Sequence, residues 1–417
     1  MCIRDSIIHA VEEAQGSRAP TQRFVDQFSR IYTPVVFAFA LAVAVVPPLV
    51  IGGAWLDWVY RALVLLVVAC PCALVISTPV TIVSGLAAAA RKGILIKGGV
   101  YLENGRHLAL LALDKTGTLT HGKPVQTDSL HLLEVDEPLH ATWAASLAAR
   151  SDHPVSRALA QRAEEQGQAL HDVEDFEALP GRGSKGRIDG TLLYIGNHRL
   201  VEDLGLCSAQ LEERLEALER QGKSVVVLCD EQRALMLFAV ADTVRQTSRE
   251  AVAELHELGV RTCMLTGDNA HTAAAIAEQV GVDEARGDLL PADKLAWVEA
   301  RQAQGKVVGM VGDGINDAPA LAKAEIGFAM GAAGTDTAIE TADVALMDDD
   351  LRKIPAFVRL SRQTHAILLQ NIVLALGIKA VFLVMTLTGE ATMWMAVFAD
   401  MGVSLMVVFN GLRLLRK

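Results

Sequence analysis

The sequence predicts transmembrane α-helices flanking a cytoplasmic α/β part, a doubly wound parallel sheet that carries an inserted α+β domain. Three observations point there. The 417 residues are 51% hydrophobic and only 21% charged, with a positive mean hydropathy that a purely soluble chain of this length seldom shows. The excess apolarity gathers near the two ends and leaves a middle of ordinary soluble composition. In that middle, short apolar runs ending in Asp or Gly alternate with helical patterns, the signature of a parallel sheet.

Four apolar segments, roughly 31–51, 59–87, 367–387 and 393–412, are long enough to cross a hydrocarbon core, which takes about 20 helical residues. The first two are joined by GGAWLD and the last two by TGEAT, neither containing Lys or Arg. The other flanks carry Arg23 and Arg30, then Arg91, Lys92 and Lys97, then Arg362, and finally Arg413, Arg416 and Lys417. By the positive-inside rule the termini and the long middle are cytoplasmic. The net charge of -11 argues against nucleic acid as the main partner, and no signal-peptide pattern is visible. The six cysteines, Cys2, Cys70, Cys72, Cys207, Cys229 and Cys263, show no disulfide spacing, which fits a reducing compartment for the middle.

The second span reads LVLLVVACPCALVIS over 63–77. Pro71 removes a helix hydrogen bond at a cost of about 3 kcal/mol unless something compensates, and hydrocarbon offers no water to the freed carbonyl. On an intact helix, positions two apart project to nearly opposite sides. Cys70 and Cys72 can therefore share a ligand only if Pro71 unwinds the span. The alternative is a proline kink between two small buried residues, and a disulfide is the least favoured reading of the pair.

Within the middle, HLALLALD is followed much later by RALMLFAVAD, VRTCMLTGD, KVVGMVGDG and ADVALMD. These are read as strands of the parallel sheet, whose ligands sit at the strands' carboxyl ends. The long interval after the first strand includes DHPVSRALAQRAEEQG and LPGRGSKGRIDGTLLYIG and reads as the inserted domain.

The chemistry lies where these strands end. LALDKTGTLT places Asp114 at a strand end, with Lys115, Thr116, Gly117 and Thr118 in the turn after it. A carboxylate beside a glycine-containing turn can present a nucleophile and backbone donors to a phosphate. Attack by a carboxylate on a polyanion needs a screening cation, hence further carboxylates to hold a metal. MVGDGINDAPAL supplies Asp313 and Asp317, with Gly312 and Gly314 allowing close approach and Asn316 between them. MLTGD offers Thr266, Gly267 and Asp268, and LLPADK offers Lys294 as a fixed positive charge. Any one of these could be a polar turn capping a helix; together, each at a strand end, they describe a phosphoryl-transfer site.

DKTGTLT, TGD and GDGINDAP closely resemble the P-type ATPases, whose catalytic domain has a haloacid-dehalogenase-like fold. The resemblance implies that ATP phosphorylates Asp114 and that Lys294 and Thr266, with Gly267 and Asp268, steady the phosphoryl group. It also implies that Asp313, with Asp317, holds Mg²⁺ together with Asp114 and the Thr116 carbonyl. SDHPVS and GRG, with His153, Pro154, Gly181 and Gly183, resemble the nucleotide-domain motifs of the heavy-metal branch; these residues, with Lys115 and Thr116, are the implied ATP contacts. An acidic residue that many relatives carry five positions before the His is Ala148 here.

The CPC motif is itself a feature of heavy-metal pumps. Lys379 and Asp400 also lie at membrane depth, where each charge costs at least about 2.5 to 3.5 kcal/mol and normally faces a functional cavity and pairs. Two thiolates and a carboxylate sum to -3, a divalent ion leaves -1, and Lys379 balances the rest. Thiolates with a carboxylate suit Zn²⁺, Cd²⁺ or Pb²⁺, and the ALGIK and AD-G patterns resemble the zinc, cadmium and lead exporters of this branch. Copper pumps usually carry Asn, Tyr, Met and Ser in these spans.

The expected organisation is the end of an actuator domain and linker over 1–30, two transmembrane helices with CPC over 31–90, and the phosphorylation domain over 91–122 and 237–360. The nucleotide-binding domain covers 123–236 and two further transmembrane helices cover 361–417. The opening resembles an actuator's exit into the third of the family's six core spans, so the chain is expected to be N-terminally truncated; residues 1–6 do not fit that pattern. The only Thr-Gly-Glu triplet, Thr388 to Glu390, falls outside the membrane far from Asp114 and is read as a coincidence. The expected function is ATP-driven export of a divalent soft metal across the plasma membrane. The alternatives are a Cu⁺ pump of the same branch and a membrane-anchored phosphatase or regulatory metal-binding protein, which would need no nucleotide insert.

Overall fold

The computed structural model describes residues 19–50, 52, 54–132, 138–268, 270–312, 317–331 and 336–416. In chain order the strands are β1 (Ile94–Ile96), β2 (Leu110–Asp114), β3 (Thr120–His131), β4 (Glu174–Leu179), β5 (Gly183–Ile188), β6 (Thr191–Gly196) and β7 (Ser224–Cys229). They continue as β8 (Ala234–Val244), β9 (Arg261–Leu265), β10 (Glu284–Arg286), β11 (Val308–Gly312), β12 (Ile326–Met330) and β13 (Val344–Leu346).

Seven strands form one sheet in the order β1-β13-β12-β11-β2-β9-β10. All its pairings are parallel except that of the edge strand β1 with β13. β2 is central and buried at every position, as a strand covered by helices on both faces must be. Its side chains alternate between two cores: Leu111 and Leu113 pack with Met264, Val311 and Phe328, while Leu110 and Ala112 pack with Cys263, Leu265 and Met310.

The chain leaves this sheet after β2 and enters a six-stranded antiparallel sheet, β3-β8-β7-β6-β5-β4. Helices Pro138–Ala148 and Pro154–Glu165 pack into one of its cores, and residues of His198–Asp203 and Ala209–Glu219 into another. RALMLFAVAD, read above as a strand of the parallel sheet, becomes β8, paired antiparallel with β3 and β7. Its apolar run reflects burial inside the insert, and burial alone does not say which sheet buries a strand.

Four helices are long and apolar enough to cross a membrane: Pro20–Val50, Trp55–Arg91, Lys353–Thr386 and Met393–Arg416. The third also packs against the parallel sheet. Its Phe357 meets Phe328 of β12 edge-on at 5.4 Å between ring centres. Arg352 pairs with Glu250 at 3.0 Å, Arg359 with Glu254 at 2.5 Å, and Arg362 donates to the Leu258 carbonyl at 2.7 Å. The helix carrying Lys379 is thereby fastened to helix Gln246–Glu257 on the parallel sheet.

Candidate functional site

Parallel register sets Asp114 opposite Leu265 of β9, beside the end of β11. Three loops thus leave the sheet at one edge: the turn after Asp114, the Thr266 loop, and the segment after Gly312. Asp114 is 7% exposed and Lys294 6%. The Lys294 ammonium lies 2.5 Å from Asp114 and 2.8 Å from Asp317. Pro291 begins the helix that carries Lys294, and the Asp293 side chain accepts from the Leu290 amide at 2.9 Å, fixing its start. Burial alone would depress the ammonium, but Asp114 and Asp317 outweigh it by charge and hydrogen bonding and hold it above its ordinary value.

Gly312 is required for Asp317 to sit here, because a Cβ at Gly312 would stand 2.6 Å from a carboxylate oxygen of Asp317. In the turn after Asp114, Gly117 takes φ of 70°, a conformation glycine adopts without steric cost. Thr266 Oγ donates to Asp268 and accepts from the Asp268 amide, both at 3.1 Å. Lys115 pairs with Asp268 at 2.5 Å, tying the nucleophile's turn to the Thr266 loop. Asp313, Gly314 and Asn316 lie outside the described residues.

Two residues that sequence reasoning passed over hold the junction between the sheets. Asp242 accepts from Thr120 Oγ at 2.5 Å and from the Gly122 amide at 2.9 Å. Arg245 donates to the carbonyls of Thr120 at 2.9 Å, Gly117 at 3.2 Å and Asp349 at 3.3 Å. The available signal was a charged pair at the end of the apolar run that returns from the insert.

In the insert, His153 caps the helix begun by Pro154 and accepts from the Val155 amide at 3.4 Å; it is exposed. Gly181 (φ 71°) and Gly183 (φ 153°) bracket Arg182 between β4 and β5. A Cβ at Gly183 would come within 2.1 Å of the Ile195 carbonyl oxygen, so this loop tolerates no side chain there. Ala148 is fully buried in the insert's core.

In the membrane, helix Trp55–Ala69 stops and helix Cys72–Arg91 starts, leaving Cys70 and Pro71 outside both. The break falls at Pro71, which removes a helix hydrogen bond, and its cost is offset locally. Lys379 donates to the Val68 carbonyl at 3.1 Å, to the Cys70 carbonyl, and to Asp400 at 2.9 Å. The disulfide reading, disfavoured above, is corrected: Cys70 and Cys72 are bonded to each other, with Cα atoms 5.5 Å apart. With Cys70 and Pro71 outside both helices, the two side chains no longer project to opposite sides. Neither cysteine lines the cavity of about 10 Å³ at Asp400, which Lys379, Val68 and Phe382 help to close. Among the described residues, no three His, Cys, Asp or Glu side chains stand grouped for a metal. Gly389 of the Thr388–Glu390 triplet closes a membrane helix in the left-handed conformation.

Residues 108–325 match the haloacid dehalogenase-like hydrolase family. The chain is 50% identical over 416 residues to a probable cadmium-transporting ATPase of Staphylococcus aureus (strain MRSA252), covering 98% of this chain and 57% of that protein. It is 45% identical to the zinc/cadmium/lead-transporting P-type ATPase of Escherichia coli (strain K12), over 99% of this chain and 55% of that one. It thus spans little more than half the length of these relatives. A crystal structure of a zinc-transporting PIB-type ATPase in the E2.Pi state is similar with a TM-score of 0.87 and 44% identity, covering 99% of this chain and 67% of that one. Similarity that runs through the membrane helices, both sheets and the phosphoryl site alike shows that the chain belongs to the heavy-metal-transporting P-type ATPases.

Proposed function

We propose that this protein takes the γ-phosphoryl group of ATP onto Asp114 and couples that step to export of Zn²⁺, Cd²⁺ or Pb²⁺ across the plasma membrane. The observation that carries the reading is the Lys294 bridge between Asp114 and Asp317, two buried carboxylates at one strand edge. A positive charge held there screens an incoming polyanion from the nucleophile. Asp114 Oδ attacks the phosphorus, the bond to the β–γ bridging oxygen breaks, and ADP leaves. Beside Lys294, Thr266 Oγ and the amides of the turn after Asp114 are the proposed donors to the transferred group. Aspartyl phosphate is a mixed anhydride, so it keeps much of the free energy of ATP for a later conformational step.

Asp114, Asp317 and the Thr116 carbonyl are hard oxygen donors at an edge where Lys294 already neutralises charge, a set that fits Mg²⁺. Bound there, Mg²⁺ would supply further charge neutralisation of the phosphates. His153, Pro154, Gly181 and Gly183 are the proposed nucleotide contacts, with Lys115 and Thr116 at the phosphates. The metal-binding form of Cys70 and Cys72 is the dithiolate, with Asp400 as the oxygen ligand and Lys379 balancing charge. A Cu⁺ reading has one observation in its favour: Lys379 occupies Asp400, so the cysteine pair, once reduced, would be left without an oxygen ligand.

The test is phosphorylation of the full chain in lipid by ATP labelled on the γ-phosphate, under reducing conditions. Acid-stable, hydroxylamine-labile label that rises with Zn²⁺ or Cd²⁺ is expected. Label insensitive to these ions would reject the coupling.

A further inference from the structure

Cys207 has no part in the function just proposed. It lies in the turn between helices His198–Asp203 and Ala209–Glu219, half-buried, with its sulfur 3.3 Å from Nε2 of His198. Oε1 of Glu202, one helical turn on, is 3.8 Å from the same nitrogen. Beside Cys207 opens a cavity of about 380 Å³, also lined by Leu206, Ser208 and Arg214.

A sulfur and an imidazole nitrogen at this separation approximate one edge of a tetrahedron around a cation bonded at about 2.3 Å to sulfur and 2.0 Å to nitrogen. Among the described residues no three such side chains already converge on one point, so the ready-made part is this pair. Glu202 can join by a rotamer change and water can fill the rest of the shell. Burial, then the charges of Glu212 and Glu202, keep the Cys207 thiol above its ordinary value. The same carboxylates favour a cation at the sulfur. Burial pushes Cys229 and Cys263 up to about 12, so neither is an available competitor.

We propose that Cys207 and His198 form a cytoplasmic site for a soft divalent cation, and that occupancy of the site is transmitted to the 181–183 loop through helix His198–Asp203. The second half rests on the nucleotide reading made above.

The route is short. Asn197 caps that helix and donates from its side chain to the Gly181 carbonyl at 3.0 Å and from its amide to the Arg182 carbonyl at 2.9 Å. Arg182 pairs with Asp203 at the other end of the helix. One six-residue helix therefore carries His198 and Glu202 and, with its Asn197 cap, holds Gly181 and Arg182 of the loop. Binding forms Sγ–metal and Nε2–metal bonds and passes the thiol proton to water, with no change of oxidation state. The cation so pins the helix to the turn that follows it. As the site lies in the cytoplasmic insert, it reports the concentration of the ion on the side from which the proposed pump would load.

The test uses the full chain with Cys70→Ser and Cys72→Ser, which removes the membrane thiols, and Cd²⁺ as probe. Equilibrium dialysis should find Cd²⁺ bound with the charge-transfer absorption of a cadmium thiolate. Adding Cys207→Ser should remove that absorption, and His198→Ala should weaken binding by at least about tenfold, the scale on which even indirect partners of a metal act. With a fluorescent ATP analogue, Cd²⁺ should shift the nucleotide Kd by about fivefold or more, as expected for coupled sites, and should do nothing once Cys207 is serine. Absence of the thiolate absorption, or its survival in the Cys207→Ser chain, overturns the site. Absorption without a nucleotide shift overturns the coupling. Failure of the metal-free chain to bind the analogue overturns the nucleotide reading and the coupling with it, a result separate from the cadmium signal.

Discussion

The ammonium of Lys294 lies 2.5 Å from Asp114, a residue 180 positions earlier in the chain. The contact exists because β2 is an interior strand of the parallel sheet and helix Pro291–Gln302 carries the chain back across it, from β10 on one side to β11 on the other. Everything proposed for phosphoryl transfer depends on that meeting.

Asp114→Asn should abolish the hydroxylamine-labile label, because an amide is not a nucleophile of the required kind. Nucleotide affinity, measured with a fluorescent analogue, should remain near that of the parent. Undiminished labelling would move the nucleophile elsewhere.

Lys294→Met should destabilise the parallel-sheet domain by about 3–5 kcal/mol, the cost of leaving buried charge uncompensated. Added Mg²⁺ should restore part of this in thermal unfolding. The folded state holds the Lys294 ammonium above its ordinary value, so its stabilisation is complete below the unfolded pKa, about 10.4, and is lost only as pH rises through the raised value. The deficit of the variant should therefore be the same at pH 6 and pH 8. A deficit that disappears within that range would contradict the assignment.

Asp242→Ala should loosen the junction between the sheets, since it leaves the Thr120 hydroxyl and the Gly122 amide without their charged acceptor. Bonds of that kind contribute about 1.5–3 kcal/mol each. Faster proteolysis near residues 120–124 and 242–245, with the insert still binding nucleotide, is expected. Unchanged cleavage would show that Arg245 holds the junction without it.

The parallel sheet, the membrane spans and the phosphoryl motifs were legible in the sequence because each has a local signature: apolar runs, span length, an Asp or Gly at a strand end. The place of β8 was not, because a buried strand looks the same in either sheet. Asp242 and Arg245 were missed because their partners at Gly117, Thr120 and Gly122 are far away in sequence and ordinary in type. The Cys70–Cys72 bond was not legible, because an opened turn at Pro71 brings the two sulfurs together equally for a shared ligand and for a bond to each other. Lys379 was expected to face a partner; that it also satisfies the carbonyls freed by the break depends on how two spans pack, which no local pattern encodes.

The most direct test of the account is the ion dependence of phosphorylation in the parent and Asp400→Ala chains, reconstituted in lipid under reducing conditions. Asp400 is held by Lys379 at 2.9 Å, and under the proposed function a divalent ion takes this carboxylate as a ligand beside the two thiolates. The account predicts Zn²⁺- and Cd²⁺-dependent label on the parent and its loss in Asp400→Ala, with analogue binding intact. Label driven by Cu⁺ that survives Asp400→Ala would contradict it, because two thiolates alone suffice for that ion.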